Sequence, residues 1–221
     1  MFLLSPSKTL SNTNKKGSTN ILFKDKNNYI FNKIIKLNKD DLKSYFKVSN
    51  KKIDLIYDYY HDNNYYEAID LFTGILYKVL NKKIINNDNL LILDSYYGLI
   101  RPFDNIKKYY LDFNTNLIDY KYWETEINNY LSNLKELIID LSSKEYSKLL
   151  NIDKLNYLRI DFINYNSNVE LKRLRGLMTN YLIENNINNL KDRNKIKNIK
   201  INDYIYDDIN SNNKLIIFKK A

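Results

Sequence analysis

Cysteine is absent from the 221 residues, which excludes a disulfide framework, a thiolate metal site and any redox cycle through sulfenic acid. Histidine occurs once, at His61, too few for a multi-histidine metal centre. Glycine and proline are scarce, with four and two copies, in a chain crowded with Asn, Lys, Ile and Tyr, the residues an A/T-rich coding sequence favours. Those that survive mark places where other residues cannot serve, and Gly74, Gly98, Gly176 and both prolines fall in motif-like clusters. No apolar stretch approaches the ~18 residues of a membrane span. The start has no basic n-region and only Phe2-Leu3-Leu4 as apolar content, so it does not read as a signal peptide. A cytoplasmic location is the default expectation.

What is abundant is charge and tyrosine. Thirty-five Lys and Arg against 26 Asp and Glu leave a net charge of +9, a balance suited to a polyanion such as nucleic acid. Only Arg101, Arg159, Arg173, Arg175 and Arg193 are arginine, so much of the lysine reads as solvated surface and the arginines carry more weight. The length predicts one domain over 1–221, large enough to bury its core without metals or disulfides.

Residues 2–4 predict a short buried strand that exits into "SPSKTL". "KDDLKSYF" and "SNKKIDLIYDYYHD" predict two helices joined near Val48-Ser49-Asn50, with Ser49 as N-cap. "LLILDSYYGLI" predicts a strand entering a turn, and "YYLDF" a second strand. Trp123, Ile127, Tyr130 and Leu134 form a helical stripe in "YWETEINNYLSNL". "ELIIDL", "YLRIDFINY" and "KLIIFKK" predict further strands, and Ser142 with Glu145 a capping box. A helix is expected over 169–187, and the Asn-rich stretch near 185–198 as a swollen loop. Strands and helices mix without strict βα alternation, which predicts an α+β or irregular mixed α/β fold.

Ser5 and Lys8 match the Ser-x-x-Lys of penicillin-recognising enzymes, but no Ser-Asp-Asn occurs and Lys8-Thr9 is followed by Leu10. A P-loop is excluded because no glycine precedes Lys8. What remains is a strand exit that presents the Ser5 and Thr9 hydroxyls and the Lys8 ammonium, either as a phosphate contact or as a solvated turn. In "VELKRLRGLMTNYLIENNI" the face of Leu171, Leu174, Met178 and Tyr181 is apolar, whereas Lys172, Arg173 and Gly176 lie off it and Arg175 borders it. A glycine there either admits a phosphate or packs against another backbone. In "SYYGLIRPFD", Arg101 either pairs with Asp104 or faces the same cleft as Lys8 and the 172–175 cluster. His61 reads as an ordinary helix residue, and the carboxylates show no spacing typical of a metal centre, so no cofactor is expected.

In this order the clusters resemble the YaaA family of bacterial peroxide-stress proteins. The matching blocks are "SPSKTL" (5–10), "VSNKKIDLIYDYYHD" (48–62), "YYGLIRPFD" (96–104), "YYLDF" (109–113), "YW" (122–123), "LSSKEY" (141–146), "LKRLRGLMTNYLIEN" (171–185) and "NSNNKLIIFKK" (210–220). The resemblance implies a cytoplasmic, non-enzymatic role in surviving hydrogen peroxide, linked to limiting iron-driven damage to DNA. It also implies a mixed α/β fold with a basic cleft, a helix-hairpin-helix element around 48–56, and affinity for DNA. The positions it carries over are Ser5, Pro6, Lys8 and Thr9; Tyr97, Gly98, Arg101 and Pro102; and Lys172, Arg175 and Gly176. The expected phosphate contacts are Ser5, Lys8, Thr9, Lys51, Lys52, Arg101, Lys172, Arg173, Arg175 and Gly176, with binding largely independent of base sequence. The chain departs from the family where hairpin glycines give way to Ser49-Asn50-Lys51-Lys52 and Trp-Gly-Asp to Trp123-Glu124-Thr125. The alternative expectation is an enzyme or binding module for a small phosphorylated or nucleotide ligand in the same cleft. Neither a membrane nor an obligate protein partner is expected.

Overall fold

A computed structural model describes residues 1–115 and 117–221. Its strands are β1 (Phe2–Leu4), β2 (Tyr66–Glu67), β3 (Leu90–Asp94), β4 (Gly98–Ile100), β5 (Asn105–Ile106), β6 (Ile138–Asp140), β7 (Tyr157–Ile163), β8 (Lys200–Ile201), β9 (Tyr204–Tyr206) and β10 (Leu215–Lys220). The helices are α1 (Lys24–Ile34), α2 (Lys39–Phe46), α3 (Asn50–His61), α4 (Ala68–Leu71), α5 (Ile75–Val79), α6 (Lys121–Asn133), α7 (Lys144–Ser147), α8 (Asn168–Glu184) and α9 (Arg193–Lys197). The architecture is the expected mixture of helices with a mixed sheet.

Eight strands form one sheet in the order β4-β3-β1-β6-β7-β10-β9-β8, and β2 pairs with β5 alone. The central five, β3, β1, β6, β7 and β10, run parallel; β4 on one side and β9 on the other run antiparallel to them, and β8 pairs antiparallel with β9. Strands covered on both faces have no polar side to alternate with, which is why "FLL", "LLILD" and "IID" read as apolar runs, the last two broken only by the buried Asp94 and Asp140 that end them. β1 is flanked by β3 and β6, so the chain leaves it first to one side and later to the other. In open parallel sheets a crevice opens at such a reversal, beyond the carboxyl ends of the strands. The carboxyl end of β1 is Leu4, and the next residues are the SPSKTL loop.

The α2–α3 pair forms as expected. Asn38 and Asp41 build a reciprocal capping box at the start of α2, and residues 47–49 link the helices. Lys47, at φ 50°, takes the left-handed position that ends α2, and Ser49 stands extended before α3 without a side-chain cap bond.

Four expectations are corrected. "LLILDSYYGLI" is a hairpin: β3 reverses through Ser95–Tyr97, and Gly98 adopts φ +75° at the start of β4. "YYLDF" is not a strand. Its backbone is held by side chains instead, with Ser95 Oγ donating to the Leu111 carbonyl at 2.8 Å and Tyr109 Oη donating to Asp94. The α7 N-cap is Ser143 rather than Ser142, whose Oγ is engaged with Ser147 Oγ at 3.0 Å. The Asn-rich 185–198 segment contains α9, and the β8–β9 hairpin follows it.

Candidate functional site

The crevice at the end of β1 is a cleft of about 350 Å³, walled by the 5–9 loop, residues 74–77, α7 and the first turns of α8. Hydrogen bonds fix the loop. Ser5 Oγ accepts from the Ser143 amide at 2.7 Å, and the Ser5 carbonyl accepts from Tyr77 Oη at 2.7 Å. Ser7 Oγ accepts the amides of Thr9 and Gly74, each at 3.0 Å, so this hydroxyl closes a turn and joins the loop to α5. Ser5 retains its own hydroxyl proton as a donor.

The cations behave differently from one another. Lys8 donates to Asp112, and although burial pulls the other way, that bond raises the Lys8 pKa above the usual lysine range; its side chain is still 60% exposed. Its ammonium lies 5.8 Å from the centre of the Tyr110 ring, and the Lys52 ammonium stands 4.5 Å from the same ring. Lys172 is exposed at the cleft wall. Lys51 and Arg173 are exposed outside the cleft. None of Lys51, Lys52, Lys172 and Arg173 forms an ion pair among the described residues.

Arg175 is buried. Its Nη2 donates to Asp161 at 3.2 Å, and Asp161 also accepts from Arg159 at 3.1 Å. Arg159 reaches Asp140 at 2.7 Å and the Ser142 carbonyl at 3.0 Å, which joins the ends of β6 and β7 to α8. Burial lowers the Arg175 pKa. Burial tends to raise that of Asp161, but the Arg159 and Arg175 charges outweigh it and hold the carboxyl below its ordinary range. Glu145, at the inner wall, is shifted upward by burial and then by the nearby Asp112 charge.

Two expected contacts lie elsewhere or serve another purpose. Gly98 pairs opposite Asp94 and Ile100 opposite Ile92, so β4 carries Arg101 towards the amino end of β3, away from the cleft. There Arg101 bonds Asp104 through Nε at 3.0 Å and donates to the Asn20 carbonyl. Of the two readings of Arg101, the ion pair holds. Gly176 is buried against α5: a Cβ there would meet Leu76 O at 2.7 Å and crowd Val79. Helix packing, not phosphate approach, explains that glycine. His61 ends α3 stacked on Tyr57, 3.9 Å between ring centres. Glu145, Asp112 and the Asp140–Arg159–Asp161 chain are site residues that sequence reasoning missed. Glu145 stands within "LSSKEY", but its spacing from Ser142 reads as a helix cap.

The peroxide stress protein YaaA family model matches residues 1–210. A UPF0246 protein of Finegoldia magna is 32% identical to the chain, covering 99% of it and 97% of the relative. UPF0246 proteins of Fusobacterium nucleatum and Francisella philomiragia are each 31% identical, covering 88% and 100% of this chain and 90% and 100% of the relatives.

Proposed function

The chain belongs to the YaaA family of peroxide stress proteins, and we propose that it serves that response as a non-enzymatic binder of DNA phosphates, leaving less duplex open to iron-driven oxidants. The observation that carries this reading is the meeting of Lys8 and Lys52, from separate segments, over the one Tyr110 ring. Lys172, on the wall of the cleft that Lys8 also lines, extends the cationic strip. Lysines of this kind act as point charges on a phosphate chain and read no base edge, so sequence preference is weak. The Ser5 hydroxyl adds a donor at the cleft, and Lys51 with Arg173 adds positive potential at its flanks. The α2–α3 connection is the counterpart, in this reading, of the family's helix-hairpin-helix.

Duplex titrations at 50 and 200 mM salt test it. With three phosphate contacts, affinity should fall about forty-fold over that range, and Lys52→Gln or Lys172→Gln should each reduce the slope of log affinity against log salt by about 1. Affinity that is unchanged by salt and by both substitutions removes the reading.

A further inference from the structure

Two polar atoms at the inner cleft, Arg175 Nε and Glu145 Oε1, lack a hydrogen-bond partner among the described residues. The Arg175 side chain is 7% exposed and is held by one long bond to Asp161. An unmet buried donor or acceptor costs about 1–3 kcal/mol, so two of them lining one cleft call for an explanation. The two do not satisfy each other, since no ion pair joins them among the described residues. They also stand where two cavities meet. A second hollow, of about 630 Å³, shares Ser143, Glu145, Lys172 and Arg175 with the first.

The chemistry of the wall defines its complement. Arg175 beside Lys172 calls for an anion, and Glu145 calls for an N–H or O–H donor. Tyr77, Tyr146, Leu76 and Val169 supply apolar surface in the same cleft. Inorganic phosphate would meet the first need and leave the other two. A phosphate at one end, a flat ring in the middle and a ring N–H at the other end would meet all three, and about 350 Å³ lies within the ordinary range for such ligands. We propose that the cleft binds a mononucleotide, its phosphate held by Lys172 and Arg175 and an N–H of its base donated to Glu145. Arg175 can turn towards that phosphate without stranding Asp161, which keeps Arg159 at 3.1 Å and the Phe162 amide at 3.0 Å. This site shares Lys172 with the duplex strip over Tyr110, but Arg175 and Glu145 are no part of that strip, so their variants tell the two apart.

Thermal shift and calorimetry on the full chain, with the four ribonucleoside monophosphates, ribose 5-phosphate and inorganic phosphate, decide the matter. At least one mononucleotide should raise Tm saturably at concentrations where inorganic phosphate does not. Glu145→Gln, near-isosteric and partly exposed, should weaken that binding tenfold or more while duplex affinity stays within twofold of wild type. Arg175→Lys, which keeps the charge but loses the Nε–H, should weaken it similarly. The proposal is overturned if no mononucleotide surpasses inorganic phosphate on the wild-type chain, an arm that needs no variant, or if Glu145→Gln binds as wild type does. Wild-type protein that binds a mononucleotide but no duplex would refute the DNA reading alone.

Discussion

Asp94 ends β3 with its carboxylate enclosed, accepting the amides of Tyr96 and Tyr97 at 2.7 Å each and the hydroxyl of Tyr109. The Tyr96 and Tyr109 rings stack 5.1 Å apart, and Tyr97 meets both rings edge-on. Burial dominates those three bonds and lifts the carboxyl to about 6. A pKa above the unfolded value means that the folded state holds the proton more tightly. The contribution to stability is therefore complete below about pH 4 and lost as pH rises through about 6. Urea unfolding of wild type and Asp94→Asn should be compared between pH 4 and 7. Over that range the stability difference should move in the variant's favour by roughly 3 kcal/mol, since each pH unit between the unfolded and folded midpoints is worth about 1.4 kcal/mol. Carboxyl carbon NMR should find Asp94 titrating near 6; an ordinary midpoint near ~4 would show that its charge is well solvated. None of this enclosure could be read from "YYLDF", where aromatic and branched residues look like a strand. The segment is ordered by Asp94 and Ser95, which precede it in sequence and bond it from the neighbouring hairpin.

At the scale of elements, α8 lies against α5 through Gly176, and the short distance to Leu76 O leaves no room for a methyl group. Gly176→Ala should raise helix propensity yet cost about 1–3 kcal/mol through overpacking, seen as a lower urea midpoint with the slope unchanged. A gain in stability would mean that the helices part without cost. The helical wheel sets Gly176 off the face of Leu171, Leu174 and Met178, but it cannot say that a second helix closes over that side, which buries Arg175, Gly176 and Thr179 while Tyr181, expected on the apolar face, is exposed. Elements whose residues answer to one local rule were legible: β1 and β6 from apolar runs, β7 from its alternation, α2 and α3 from their spacing, α6 from the Trp123 stripe. The α7 start was not, because Ser142-x-x-Glu145 has the form of a cap while Ser142 is used by Ser147 and Glu145 faces the cleft.

Over the whole molecule, four of the five arginines turned out to be ties within the fold, Arg173 alone standing exposed without an ion pair among the described residues. Arg101 holds Asp104, Arg159 and Arg175 share Asp161, and Arg193 donates to the carbonyls of Asn212 and Asn213. Rarity in a lysine-rich chain did mark positions that lysine cannot fill, but the need is for forked bonds to buried acids more than for external phosphate. Composition reveals the net charge, not which cations sit against acids far away in sequence, as Lys15 does against Glu67 and Asp70. Arg101→Ala should therefore lower stability by about 1–3 kcal/mol by leaving the buried Asp104 without its cation, with only the Thr19 hydroxyl and the residue-101 amide as donors, and leave duplex affinity within twofold. A large loss of binding with stability intact would return Arg101 to the DNA surface. One last feature concerns the rims of the sheet. Its outermost strands, β4 with three residues and β8 with two, offer too few free amides for a neighbouring chain to zip onto. A molecule whose centre is built from strongly apolar strands is thereby guarded against ribbon-like self-association, even at high abundance.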